Sequence, residues 1–114
     1  MPYKNKSDQA ACARRHYDLN KQEIKARART WTTNQIRLSR KLISEHFATH
    51  PCVDCGESDR IVLDFDHVRG KKQANVADLV KAGCSWSRIS AEIEKCDVRC
   101  ANCHRRVTHK RRFL

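Results

Sequence analysis

Four cysteines fall in two pairs, Cys52-Val53-Asp54-Cys55 and Cys100-Ala101-Asn102-Cys103. Two residues between thiolates let both sulfurs of a pair point at one tetrahedral ion, so both C-x-x-C turns have zinc-knuckle spacing. Between them lies the pair Asp66-His67, and His104 follows the second knuckle at once. The thiolates predict a structural Zn2+ held by Cys52, Cys55, Cys100 and Cys103. The carboxylate and the two imidazoles suggest chemistry as well as structure.

A chain of 114 residues amounts to one small domain and at most an extension, and so small a chain usually needs help to hold its fold. Zinc binding in knuckle-type sites is worth on the order of 10 kcal/mol, comparable with the whole stability of a small domain. Removing the metal is therefore expected to unfold the core. Seven cysteines without a secretory signal point to a reducing, intracellular compartment and to metal ligation. Cys12 and Cys84 read as small apolar residues. Cys96, four residues before Cys100, could exchange with a knuckle ligand, although it has no partner with which to replace a complete pair.

The net charge of +11 is unevenly spread. Residues 1–50 hold eleven Lys/Arg against four Asp/Glu, 51–95 hold seven against eight, and 96–114 hold six against one. Two basic ends around a neutral middle are the electrostatic footprint of a nucleic-acid binder, because each Lys or Arg on a phosphate releases counterions. No apolar run approaches the roughly 20 residues of a membrane span, so no membrane partner is expected.

Residues 7–48 contain neither Gly nor Pro, are rich in Ala, Arg, Lys, Gln and Leu, and predict helix. An interruption is expected at Thr30-Trp31-Thr32-Thr33-Asn34, where Thr32-x-x-Gln35 fits a capping box that would restart the helix. Tyr17, Ile24, Ala28 and Trp31 follow one face, and Arg14, Arg15, Lys21, Lys25, Arg27 and Arg29 lie opposite. A faint repeat sets Tyr17-x-x-Asn20 against Trp31-x-x-Asn34, and Tyr3 precedes Tyr17 by the same fourteen residues, nearly four turns. These aromatics would pack on the core or grip a groove while the basic faces meet phosphate. A merely solvated basic helix is the plainer alternative. The chain thus divides into a basic helical arm, 1–50, and a core, 51–114.

In the core, Ile61 to Val68 predicts a strand with Leu63, Phe65 and His67 on one face and Asp64 and Asp66 on the other. Arg69-Gly70-Lys71-Lys72 is a basic turn. Asn75 is a candidate N-cap for a short helix ending near Gly83, and Ser85 for another running through Lys95. Trp86, Ile89 and Ile93 recur at helical spacing and read as core. Asp97-Val98-Arg99 reads as a second short strand, leading into the second knuckle and a basic helix through about Arg112. The fold class is small α+β.

With these residues in view, residues 52–112 resemble the HNH endonuclease family, in particular its zinc-stapled branch with a ββα-metal (His-Me finger) core. The resemblance rests on Cys52-x-x-Cys55, on Leu63-Asp64-Phe65-Asp66-His67-Val68, and on Cys100-Ala101-Asn102-Cys103-His104-Arg105-Arg106, in that order. It implies that His67 is the general base, and a neutral imidazole titrating near neutral pH suits that task. It implies further that Asp66 and His104 hold one catalytic divalent cation, Mg2+ or Mn2+, against the scissile phosphate. Two departures stand out. The family's middle Asn falls near Lys95, Cys96 and Asp97, none of which is Asn, and neither Asn75 nor Asn102 matches it. A further His found in some members four residues after the helix His is Thr108 here; His109 is at most a phosphate contact.

The activity expected is therefore metal-dependent hydrolysis of DNA phosphodiester bonds, by nicking or double-strand cleavage, with RNA kept as a rival substrate. Arg105, Arg106, Lys71, Lys72, Arg27 and Arg29 are the expected nucleic-acid contacts, and Lys110, Arg111 and Arg112 of the basic tail are expected to meet backbone phosphate as well. Double-strand cleavage needs two cuts, so a homodimer is plausible. The setting implied is the cytoplasm or nucleoid of a bacterium or a phage-infected cell. Two alternatives stay open: a non-catalytic zinc-dependent nucleic-acid-binding module, and an accessory nuclease of a phage-type assembly. Asp66 and His67 could be an ordinary strand-end pair, and His104 could instead be a zinc ligand.

Overall fold

The computed structural model describes residues 5–114; Tyr3, the first member of the aromatic repeat, lies outside them. One helix, α1, runs from Lys6 to Thr49. The chain divides into two compact units, one ending at Trp31 and the other spanning Thr32–Leu114.

The break expected at Thr30–Asn34 does not occur, because α1 continues through it. Each β-branched residue there weakens a helix by only tenths of a kcal/mol. The Thr30 hydroxyl, which could have competed with the helical backbone, instead donates to the Ala26 carbonyl at 3.0 Å. With no Gly or Pro to stop it, the helix has no reason to restart. Within the first unit Arg27 pairs with Glu23, and Asn20 donates to the His16 carbonyl, each one helical turn away. Tyr17, Ile24 and Trp31 are exposed.

The second unit takes up residues 32–50, which the sequence assigned to the arm. Ile36, Ile43 and Phe47 supply the reason, since all three pack into its core. Residues Arg60–Val62 form a 3-10 turn rather than the start of a strand, because the Asp59 side chain captures the Ile61 N–H at 3.0 Å. Strand β1 then spans Leu63–His67, and β2 spans Cys96–Cys100, two residues longer than expected. They pair antiparallel over their full length, Leu63 opposite Cys100 and His67 opposite Cys96.

Between the strands lies an excursion carrying α2 (Val76–Lys81) and α3 (Trp86–Ile93). Asn75 occupies the N-cap position of α2, but its side chain does not cap: it donates to Asp78 instead. Ser85 does cap α3, accepting from the Arg88 N–H at 3.4 Å, and α3 stops two residues short of Lys95. The base of the excursion is clamped by Arg69, whose guanidinium donates to the Glu94 and Cys96 carbonyls and to Asp97. Helix α4, Ala101–Phe113, follows β2 without a gap.

Two apolar clusters flank the sheet. The first holds Phe47, Leu63, Val98 and the knuckle residues Cys52, Cys100 and Cys103. The second holds Val76, Leu79, Val80, Ile89, Ile93 and Cys96. Ile43 and Phe65 touch both, and the Phe47 and Phe65 rings stack 4.7 Å apart. Ile89 and Ile93 are buried as their spacing predicts, while Trp86 is half-buried against the same cluster. No helix among the described residues is long and apolar enough to cross a membrane.

Candidate functional site

The first knuckle is a tight turn. Gly56 N–H donates to the Cys52 carbonyl and Cys52 N–H to the Glu57 carbonyl, both at 2.9 Å, and Gly56 takes the positive φ of +78° that closes it. Val53 N–H donates to the Val98 carbonyl, which fastens this turn beside β2. The second knuckle begins at the end of β2, where Cys100 Sγ is also the N-cap of α4 and accepts from the Cys103 N–H. The four ligand atoms of Cys52, Cys55, Cys100 and Cys103 all lie within 4.8 Å of one another.

This donor set fits zinc. A tetrahedral ion with metal–sulfur bonds near 2.3 Å separates its sulfurs by about 3.8 Å, and Cys55 Sγ lies 3.7 Å from Cys100 Sγ. Four thiols so close cannot all ionise by themselves. Burial opposes ionisation of Cys52, yet backbone hydrogen bonds from Cys100, Cys55 and Asp54 prevail and lower it to about 6. Cys103 is pushed up to about 12, first by its hydrogen bond with Cys100 and then by burial. A bound cation resolves that conflict. Cys96 is not a member of the group: it sits in the second apolar cluster, its Sγ donates to the Glu92 carbonyl, and burial above all raises it to about 11.

A cleft of about 680 Å³ opens beside the four-cysteine cluster; Asp64, Asp66, His67, Lys72, Arg40 and His104 are among its lining residues. No knuckle cysteine lines it. β1 supplies the first three side chains and the first turn of α4 supplies His104. The imidazole of His104 stands between two carboxylates, Nδ1 at 3.4 Å from Asp64 Oδ2 and Nε2 at 3.5 Å from Asp66 Oδ1.

Asp66 is buried although its strand face was expected to be the polar one, because arginines from β2 and α4 cover it. Arg99 Nη1 donates to Oδ2 at 2.6 Å, and Arg111 donates through both terminal nitrogens, to Oδ1 at 2.9 Å and Oδ2 at 3.1 Å. Burial alone would raise the Asp66 pKa, but the bonds from Arg111 and Arg99 outweigh it and hold the carboxylate below its ordinary range. Arg99 Nε also donates to Asp54 at 2.7 Å, so one guanidinium ties the first knuckle to the carboxylate of the cleft.

On the other side of the strand, His67 Nε2 is 2.8 Å from Glu92 Oε1. Glu92 is almost fully buried and also accepts from the Gln73 N–H and from Lys95 Nζ, both at 3.0 Å. Burial pushes its pKa up; the bonds from Lys95, Gln73 and His67 more than reverse that and hold it at about 2. The residues near the expected Asn have other partners. Lys95 bonds Glu92 and the Lys71 carbonyl, Cys96 is packed away, and Asp97 faces Arg69.

Sequence reasoning missed Glu92, Arg99 and Arg40, and it expected Arg111 on backbone phosphate where both its terminal nitrogens instead bond Asp66. For Glu92 a signal existed: it lies three residues after Ile89 and next to Ile93, an acid on the apolar stripe of α3. His104 keeps company with Asp64 and Asp66, not with the cysteines. Lys71 and Lys72 are both exposed, and of the two only Lys72 lines the cleft. Arg105 and Arg106 line an open surface depression with Asn102, His109 and Lys110, and the His109 ring lies 4.7 Å from Phe113. Arg27 and Arg29 lie on exposed turns of α1 in the first unit. Compared with family models, with curated proteins and with solved structures, the chain matches none.

Proposed function

We propose that the protein is a metal-dependent endonuclease of the HNH type, cleaving phosphodiester bonds in DNA from a ββα-metal core. The observation that carries this reading is that Asp66 and His67 from the end of β1 and His104 from the first turn of α4 line one cleft beside a four-cysteine cluster. Zinc belongs to the staple in this reading. Asp66 and His104 are the residues that would hold a catalytic Mg2+ or Mn2+, which supplies stabilisation of charge at the reacting phosphate. Adjacent ligands of such an ion stand about 3.0 Å apart, and the 3.5 Å between Asp66 Oδ1 and His104 Nε2 is close to that.

His67 takes a proton from water, the water oxygen bonds to phosphorus, and the bond from phosphorus to the leaving sugar oxygen breaks. Lys72 and Arg40, lining the same cleft, attract the phosphate. Arg105 and Arg106 on α4, with Arg27, Arg29 and Lys71, contribute sequence-independent contacts along the backbone.

The test is supercoiled plasmid incubated with the zinc-bound protein and Mg2+ or Mn2+. Nicking or linearisation that vanishes in His67→Ala, with zinc content and circular dichroism unchanged, supports the nuclease. A second reading is favoured by one observation: both Asp66 oxygens are already taken by Arg99 and Arg111. A carboxylate so occupied would suit a non-catalytic zinc-dependent binding module. Tight plasmid binding with no cleavage in any metal would select that module.

A further inference from the structure

The excursion between β1 and β2 places a buried acid against the candidate base. We infer that Glu92 is a positioning residue: its carboxylate fixes the His67 ring with the proton on Nε2 and so leaves Nδ1 as the atom that accepts the proton of the attacking water. This inference rests on the nuclease reading of the cleft.

Four observations carry it. The His67–Glu92 contact is short, 2.8 Å, and Glu92 has a side-chain exposure of 4 %, which favours a strong, directed bond. An ionised carboxylate only accepts, so the nitrogen facing it must carry hydrogen. The remaining Glu92 contacts hold it ionised and immobile: Gln73 N–H donates to the same oxygen as His67, and Lys95 Nζ donates to the other. Finally, among the described residues Nδ1 of His67 has no hydrogen-bond partner, while His67 itself lines the cleft. A neutral imidazole has one donor and one acceptor nitrogen, so committing Nε2 to Glu92 leaves the Nδ1 lone pair for water.

The step then balances. Water loses a proton to Nδ1, its oxygen forms the new bond to phosphorus, and the leaving sugar oxygen departs with the electron pair of the broken bond and takes a proton from solvent. Glu92 touches neither substrate nor water. It acts by keeping the ring in one tautomer and by stabilising the imidazolium that the step creates, as outer carboxylates do for other working histidines. Lys95 and Gln73 hold the carboxylate in turn, so α3 and the loop before α2 exist in part to deliver it.

The decisive measurement uses the full, zinc-bound chain with ¹⁵N-labelled histidine, at a pH where the ring is neutral. Wild-type His67 is expected to show a pyrrole-like Nε2 and a pyridine-like Nδ1. The opposite tautomer, or an even mixture, would overturn the inference without any variant being made. In Glu92→Gln the amide can offer either an oxygen or an NH2 group, so the fixed signature should become mixed. Its kcat for plasmid nicking should drop roughly ten- to a hundredfold with KM within about twofold. Unchanged kcat in a folded, zinc-loaded Glu92→Gln protein would sink the idea; an unfolded variant leaves the decision to the wild-type spectrum. No cleavage by the wild-type protein would instead count against the nuclease reading, and the ring signature would still report whether Glu92 sets His67.

Discussion

Stripping the metal from the four-cysteine cluster should cost the second unit most of its stability. The staple joins segments 45 residues apart in the chain, measured between Cys55 and Cys100. Closing a loop of that length in the unfolded chain is worth about 4 kcal/mol. That is a floor, because coordination adds its own enthalpy and whole zinc-site free energies run about 10–16 kcal/mol. A domain of this size has only about 5–15 kcal/mol in total. Three of the six buried members of the first apolar cluster, Cys52, Cys100 and Cys103, belong to the four-cysteine cluster, and Cys100 also caps α4, so losing a bound ion should loosen packing and helix start together. The floor alone lowers the melting midpoint by at least about 15 °C, and the full binding energy unfolds the unit. The assay is thermal unfolding before and after chelation, with one zinc per chain expected from a metal-release titration. Cobalt substitution should give the spectrum of a tetrahedral site with four sulfurs. A stripped protein melting within about 5 °C of the loaded one, or a cobalt spectrum showing nitrogen or oxygen ligands, would refute the reasoning.

Truncating Ile89, which is fully buried, to Ala should destabilise by about 2–5 kcal/mol through lost transfer energy and a residual cavity; urea unfolding checks it, and a loss under about 1 kcal/mol would mean the site collapses freely. Gly83→Ala should cost about 1–3 kcal/mol, because Gly83 has φ +72° and an added Cβ would come within 2.8 Å of the Thr32 methyl; an unchanged urea midpoint would contradict that contact. The pH dependence has a definite sign. Glu92 has its pKa lowered from 4.5 to about 2 in the folded protein, so the unfolded chain binds the proton first as pH falls. The stability this group contributes is complete above about 4.5 and is lost as pH falls toward 2. Urea midpoints of wild type and Glu92→Gln should therefore converge in acid, with zinc release common to both; a gap that stays constant from pH 6 to pH 3 would show that Glu92 does not titrate this way.

The local elements were largely legible because their signals are local. Ser85 caps α3, Ile89 and Ile93 fill its apolar face, and the run from Leu63 to His67 forms a strand, each as its periodicity or side-chain chemistry predicts. Where local signals conflicted, tertiary or competing contacts prevailed. Thr30 back-bonded to Ala26 instead of ending a helix, Asn75 bonded Asp78 instead of capping, and Asp59 folded the chain at Ile61 into a turn. The extent of the compact unit was not readable either, because Ile36, Ile43 and Phe47 look like any apolar positions of a long helix until the sheet they cover is present.

The sequence by itself determined the four-cysteine cluster, since two residues between cysteines fix which way the sulfurs can point, and pairs so spaced need only meet once. It also determined which side chains stand at the end of β1 and the start of α4. Only the tertiary structure decided what surrounds them. It brought Arg99 and Arg111 onto Asp66 and set His104 between Asp64 and Asp66. It also carried Glu92 across 25 residues of chain to His67. The physical reason is that a charge can be buried only where partners from other elements compensate it, and which partners arrive depends on how the strands pair and the helices pack, not on the spacing of residues along the chain.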